Sequence, residues 1–264
     1  MIGKWENDKW LYGGYHWTNE SLYIGRFDEY KRSGVGLFKY GLGDLYIGTW
    51  KEDKKDGFGT YNYKNGAQYE GTWKQNLKSG QGKMIYANKD VFQGSWKLNK
   101  KDGFGKYEYH SGNLYIGYWK ADKKSGMGRF IYSHGDIYDG SWSENHRNGR
   151  GIYRYSTGDI YEGEWCKDKK QGKGTYWYSG EKEGECYIGK WVNGKKVEGV
   201  YFYKNGDFYD GRFENNRAIG QAISPSGLTF RPAIPKIPKL ADGWVGGETF
   251  NKMKSDGSLE KVDF

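Results

Sequence analysis

A short aromatic pattern, Tyr-x-Gly-x-Trp, returns at a fixed interval along this chain and constrains its fold more than any other feature. It stands at Tyr46-Gly48-Trp50, Tyr69-Gly71-Trp73, Tyr115-Gly117-Trp119, Tyr138-Gly140-Trp142, Tyr161-Gly163-Trp165 and Tyr187-Gly189-Trp191. Variants at Tyr23-Gly25-Phe27, Phe92-Gly94-Trp96 and Tyr209-Gly211-Phe213 complete about nine units. Their starts lie 23 residues apart from Tyr23 to Tyr161, then 26 and 22 apart. An insertion at Ser179–Gly184 accounts for the longer interval, and one residue lost before Gly199 for the shorter. A period of this length marks a repeat architecture, in which each unit is one supersecondary element that buries its apolar side against its neighbours.

Each unit has a second half, a Gly-x-Gly followed by alternating aromatics, as in Gly57-Gly59-Tyr61-Tyr63, Gly103-Gly105-Tyr107-Tyr109 and Gly149-Gly151-Tyr153-Tyr155. Residues two apart in a strand share a face. Both halves therefore put rings and glycines on one face and mixed polar residues on the other, which predicts an antiparallel hairpin. Asn65-Gly66, His134-Gly135, Thr157-Gly158 and Asn205-Gly206 recur at one offset and suit a turn with positive φ. Longer polar loops, Lys51–Asp56 and Lys97–Asp102, are expected at the opposite edge. Glycine in mid-strand normally weakens a sheet; here the missing side chain is expected to leave a slot for a neighbouring repeat's ring. The fold class that follows is all-β: an elongated single-layer antiparallel sheet of about nine stacked hairpins, with a short extended C-terminal tail. Residues 1–22 read as a degenerate repeat and N-terminal cap, 23–222 as the repeat array, and 223–264 as a proline-containing tail that holds Pro225, Pro232, Pro235 and Pro238. The array thins at its end, where Val197 replaces the first glycine and Ser224-Pro225-Ser226 follows Gly220 in place of an aromatic pair.

Aromatics make up 19% of residues and glycine occurs 43 times, so the apolar surface is mostly ring. Rings that bury 150–250 Å² each supply what a disordered chain lacks. Cys166 and Cys186 are too few for a disulfide framework and lack zinc-site spacing. No apolar run approaches the roughly 20 residues that span a bilayer, and the N-terminus lacks a secretory pattern, so a cytoplasmic protein is expected. Catalytic chemistry is not expected. His16, His110, His134 and His146 are scattered; His110 and His134 occupy adjacent turn positions and read as turn residues, a surface metal pair being the alternative. The Gly-x-Gly elements lead into strands, whereas a phosphate loop leads into a helix. No cofactor and no metal is expected.

The net charge is +9, and Lys54-Lys55, Lys100-Lys101, Lys123-Lys124, Lys169-Lys170 and Lys195-Lys196 fall on one edge, diluted by Asp53, Asp102, Asp122 and Asp168. Asp44, Asp90, Asp136, Asp159 and Asp207 fall on the other and read as solvated turn charges. A single-layer sheet is expected to leave ring columns partly open. The candidate partner-binding residues are therefore Tyr107, Tyr109, Tyr153 and Tyr155, with Lys100, Lys101, Lys123 and Lys124 steering encounter. Trp244 and Phe250 are apolar anchors in the tail.

These residues resemble the MORN-repeat family over roughly 1–222: Tyr-x-Gly-x-Trp, a basic-acidic loop, Gly-x-Gly, an aromatic pair and a Gly-Asp turn. Such arrays occur in junctional membrane proteins, lipid kinases, a methyltransferase and ciliary radial spoke heads. Nothing here resembles an appended kinase, methyltransferase or membrane anchor. The resemblance implies a non-enzymatic scaffold for protein–protein assembly. Its expected place is a ciliary or flagellar axonemal complex such as the radial spoke head, with other subunits, and possible further copies of itself, as partners. The alternatives are a membrane-apposed adaptor that binds anionic phospholipid through the lysine edge, and the regulatory half of a split enzyme. Nucleic acid is not expected, because the rings are needed between repeats.

Overall fold

The computed structural model describes residues 2–6, 9–223, 250–253 and 259–262. They fall in two compact units, residues 1–112 with 119–122, and residues 113–118 with 123–264. In the first unit the strands are β1 (Ile2–Glu6), β2 (Lys9–His16), β3 (Leu22–Asp28), β4 (Lys31–Lys39), β5 (Leu45–Lys51), β6 (Lys54–Asn62), β7 (Gln68–Lys74), β8 (Leu77–Ile85), β9 (Val91–Lys97) and β10 (Lys100–Glu108). After β11 (Leu114–Lys120), the second unit continues with β12 (Lys123–Ile131), β13 (Ile137–Ser143), β14 (His146–Arg154), β15 (Ile160–Cys166), β16 (Lys169–Trp177), β17 (Cys186–Val192), β18 (Lys195–Phe202), β19 (Phe208–Glu214) and β20 (Arg217–Ala218). Within each unit, strands adjacent in sequence pair antiparallel, from β1–β2 to β9–β10 and from β12–β13 to β19–β20. A separate pair, β21 (Phe250–Met253) with β22 (Leu259–Val262), lies near the C-terminus. The insertion at residue 179 forms one short turn of 3-10 helix, Gly180–Lys182, and the residue missing before Gly199 leaves β18 one shorter than its counterparts.

The first Tyr of each repeat is the centre of its packing. Tyr23, Tyr46, Tyr69, Tyr115, Tyr138, Tyr161 and Tyr187 are fully buried, and the paired Trp residues nearly so. The glycine slot holds the repeat's own ring, where spacing alone suggests a neighbour's. A Cβ on Gly59 would stand 2.6 Å from Cε2 and from Cζ of Tyr46, and one on Gly128 would meet Tyr115 in the same way. The reason is direction: a strand side chain leans along its strand and lies over the residue two positions on, Gly48 or Gly117, and over the glycine that faces it across the hairpin, Gly59 or Gly128. Laid flat, each phenol donates to the carbonyl three residues ahead, Tyr46 to Thr49 at 3.0 Å and Tyr138 to Ser141 at 3.0 Å. Neighbouring repeats are joined by Trp, whose indole N–H donates to a glycine carbonyl of the preceding repeat: Trp73 to Gly59 at 3.1 Å and Trp142 to Gly128 at 3.1 Å.

Phe92 occupies the Tyr position without a hydroxyl. Phe92→Tyr is expected to add the missing bond to the Ser95 carbonyl and to stabilise the first unit by about 1 kcal/mol. Thermal melts of the two proteins test this, and a lower melting temperature for the variant would contradict it.

Asn65-Gly66, His134-Gly135, Thr157-Gly158 and Asn205-Gly206 form the expected turns, with their glycines at φ between +85° and +100°. The opposite edge differs from expectation. Where loops such as Lys51–Asp56 and Lys97–Asp102 are anticipated, the strands meet in two-residue turns with both residues left-handed, Glu52-Asp53 at φ +48° and +64° and Leu98-Asn99 at +51° and +67°. Primed turns match the twist of the strands. Two extra residues are absorbed later, as a register shift that runs up to the second glycine of the Gly-x-Gly: on β6, Asp56, Gly57 and Phe58 stand opposite Thr49 alone.

Candidate protein-docking surfaces

On the ring face the lysine pairs divide. The second member of each pair folds back over the rings: Lys55 Nζ lies 4.4 Å from the centroid of Tyr61 and 4.3 Å from that of Trp73, and Lys101 Nζ lies 4.6 Å from Tyr107 and 4.3 Å from Trp119. Lys124, Lys170 and Lys196 repeat the arrangement, and Arg32 and Arg147 take the same position where arginine replaces lysine. The aliphatic stem covers the ring edges while the ammonium meets the π-face. Lys100 and Lys123 stay exposed, and Lys123 pairs with Glu144.

Among the ring residues proposed for partner contact, Tyr153 is buried, and Tyr107, Tyr109 and Tyr155 are half-buried under this cover. Tyr107 and Tyr153 are thus parts of the inter-repeat packing, which corrects their reading as an open groove. Tyr109 and Tyr155 keep an exposed edge. Trp244 lies outside the described residues; Phe250 begins β21.

Both turn edges are clamped from repeat to repeat by carboxylates and amides that spacing alone casts as solvated. Asp44, Asp90, Asp136 and Asp159 each accept a Tyr hydroxyl 17 residues on, Tyr61 at 2.7 Å, Tyr107 at 2.8 Å, Tyr153 at 2.6 Å and Tyr176 at 2.5 Å. Their other oxygen accepts the backbone N–H 20 residues on, as Asp136 does from Ser156 at 2.8 Å. On the facing edge Asp53, Asp122 and Asp168 accept the backbone N–H of Arg32, Lys101 and Arg147. His134 sits 3.1 Å from Asp136 of its own turn, and among the described residues no group of three or more His, Cys, Asp or Glu is placed to hold a metal.

Desolvation gives this face a pH signature. Burial pushes the Lys170 ammonium down to about 7 and those of Lys55 and Lys196 to about 8. The unfolded chain keeps these protons up to the usual lysine range near 10.5. Between about pH 7 and 10 it therefore binds more protons than the folded chain, and stability rises with pH. Burial raises the phenols of Tyr46 and Tyr138 above their usual 10, so above that pH the unfolded chain ionises first and stability falls. At the acid end, hydrogen bonds from Tyr153 and Ser156 outweigh the opposing effect of burial and hold Asp136 at about 2, a contribution lost as pH falls from about 4 to 2. A melting temperature that peaks between about pH 9 and 10 is expected; a steady decline from neutrality upward would contradict it.

The reverse face is where the surface opens. In the second unit a groove of about 1080 Å³ runs over Gly140, Gly151, Gly163, Gly174 and Gly189. The register sets these glycines side by side across β13 to β17. One wall carries Ile152, Glu162, Thr175 and Ile188, backed by Trp177 two residues beyond Thr175, and the other Arg150, Glu164, Lys173 and Lys190. Trp177 belongs to an apolar cluster with Cys186 and Phe202, against which Ile160, Val200 and Phe208 pack. Sequence parity treats this face as mixed polar. The signal it passes over is the apolar residue that precedes most of the repeat tyrosines, as in Ile137, Ile160, Cys186 and Phe208.

A succession of Tyr- and Trp-locked hairpins of this kind is a repeat scaffold. Seven successive segments, residues 46–68, 69–91, 92–114, 115–137, 138–160, 161–182 and 187–208, match the MORN repeat over more than half of the chain, which therefore belongs to the MORN-repeat family. The hairpin that starts at Tyr23 lies outside the matched segments but shares the packing of the rest, and Tyr209 keeps the buried ring and its bond to the Arg212 carbonyl although its second strand is only Arg217–Ala218. Among solved structures, the chain is similar to the TCP10 domain of Danio rerio CPAP, at 9% identity and a TM-score of 0.43 over 80% of this chain and 97% of that one. It is also similar to the TCP domain of Drosophila melanogaster SAS-4, solved with a proline-rich motif of Ana2, at 15% identity and a TM-score of 0.37 over 60% and 86%. Each is a likeness in strand arrangement alone. No curated protein matches the chain in sequence.

Proposed function

We propose that this protein is a non-enzymatic scaffold that docks other proteins on the reverse face of its repeats. The observation that carries the reading is the contrast between the two faces. The ring face is roofed by the chain's own cations, whereas the reverse face of the second unit leaves a groove with apolar, cationic and anionic walls. Mixed walls of this kind suit a protein segment, because apolar contacts supply area and fixed charges of both signs select the register. A subunit of a ciliary or flagellar axonemal complex, such as the radial spoke head, is the finer form of the proposal; the resemblance to the MORN-repeat family supports it.

Affinity purification of the chain from its source cell, followed by mass spectrometry of stoichiometric partners, tests both levels. Axonemal proteins that are lost with Thr175→Arg or Lys173→Glu in the groove are the expected result. Partners indifferent to both variants would exclude the groove as the docking site. Binding to anionic phospholipid vesicles that is abolished by neutralising Lys100 and Lys123, with no protein partner recovered, would replace the scaffold reading with membrane attachment.

A further inference from the structure

The first unit carries a second open area, on the reverse face of β2 to β6. Tyr12, Ile24, Val35, Ile47 and Phe58 are 52, 40, 65, 45 and 39% exposed. Register sets Ile24 opposite Leu37 and Leu37 opposite Ile47, so these three form one row across β3, β4 and β5. Val35 stands two residues from Leu37 on the same face, and Phe58 two residues from Thr60, which pairs with Ile47. The positions between them are threonines, Thr49 and Thr60, and Arg26, which stands opposite Tyr12, is the charged side chain within the patch. Further along the same row the character changes to Glu70, Lys83, Gln93 and Lys106. Within the first unit the apolar surface is therefore confined to its first repeats and is no requirement of the fold.

We propose that this patch is an interface with a second copy of the chain, the two reverse faces packing sheet on sheet. Two observations select a second copy. The first is charge: Arg26 on β3 is exposed within the patch, and Glu70 on β7 is exposed just beyond its far edge. A two-fold axis near β5 sets β3 of one copy over β7 of the other, with Ile24 in the row of Glu70 and Arg26 two residues further on, so that the long Arg26 side chain reaches Glu70 twice and the surface is complementary to itself. The second is area. With rings of 150–250 Å² and branched aliphatics somewhat smaller, the exposed fractions leave roughly 500 Å² per copy, or roughly 1,000 Å² for the pair, which reaches the lower limit of a specific interface. Open patches of this size on otherwise charged surfaces mark contacts. The patch lies in the first unit and the groove in the second, so each proposal stands or falls without the other.

Sedimentation equilibrium of the full chain over a wide concentration range tests the interface. A reversible dimer is expected, weakened about 100-fold by Val35→Asp, which places a carboxylate in the buried layer of each copy. Because Val35 is mostly exposed, circular dichroism of the variant should match the wild type; Phe58→Lys is the second variant if it does not. Arg26→Glu is expected to weaken the dimer about 10-fold, and Glu70→Arg added to it to restore most of the loss. A chain that stays monomeric throughout overturns the proposal, as does a dimer untouched by Val35→Asp and Phe58→Lys, or a charge-swapped double variant no tighter than Arg26→Glu alone.

Discussion

Gly128→Val is expected to destabilise the second unit by roughly 3 kcal/mol, at the upper end of what overpacking costs. The added Cβ would lie 2.6 and 2.7 Å from Cε2 and Cζ of Tyr115, a ring with no exposed surface. That ring cannot move away, because its hydroxyl donates to the Tyr118 carbonyl at 3.0 Å and its edge meets Trp142 with centroids 5.4 Å apart. A shift of Tyr115 therefore disturbs the next repeat as well. The control is Gly66→Asn. Gly66 has φ +85° but open space where a Cβ would stand, and Lys89 adopts φ +71° in the following repeat's turn, so a change of only a few tenths of a kcal/mol is expected. Urea melts of both variants decide the matter: equal losses would mean that glycine acts through φ and not through the space it leaves for the ring.

Trp165→Ala is expected to cost about 3–5 kcal/mol, the range for a buried indole. Trp165 meets Tyr161 of its own repeat at 5.2 Å and Tyr138 of the preceding one at 5.4 Å, lies 4.5 Å below the Arg147 guanidinium, and donates to the Gly151 carbonyl at 3.3 Å. Its loss removes the joint between two repeats while it leaves the hairpins on either side covalently intact. In a linear array, where each repeat is supported by its neighbours, that predicts local uncoupling. Hydrogen exchange should accelerate first in β14 and β15 and less in β17 and β18. Uniform acceleration across the second unit would show that it unfolds as one cooperative block.

Much of this was legible because a repeat writes its packing rule several times over. The interval between tyrosines, the ring-and-glycine parity and the Gly turns all carry through to the hairpins, since period and turn chemistry are local properties. One inter-repeat rule is written in the sequence but emerges only once the hydrogen bonds are known, since spacing alone reads these aspartates as solvated. Tyr stands 17 residues after Asp at 44, 90, 136 and 159, while Met84 follows Ala67 and Phe130 follows Asn113. A hydroxyl appears where a carboxylate precedes it, because a buried phenol without an acceptor would be costly.

The sequence by itself determined the unit, its two faces and its order along the chain, because strand alternation and left-handed turns depend on residues close together. The tertiary structure decided which of those residues remain available. Lys100 and Lys101 are identical neighbours in sequence, yet one stays in water and the other roofs Tyr107 and Trp119. Tyr107 and Tyr153 carry the signature of binding residues until their hydroxyls are seen engaged with Asp90 and Asp136. The reverse face, polar by parity, gains a groove and an aliphatic patch once register places apolar residues of successive strands side by side. The contacts that decide burial join different strands and successive repeats, Lys101 with Trp119 and Tyr138 with Trp165, and only a settled register determines which of those pairs meet.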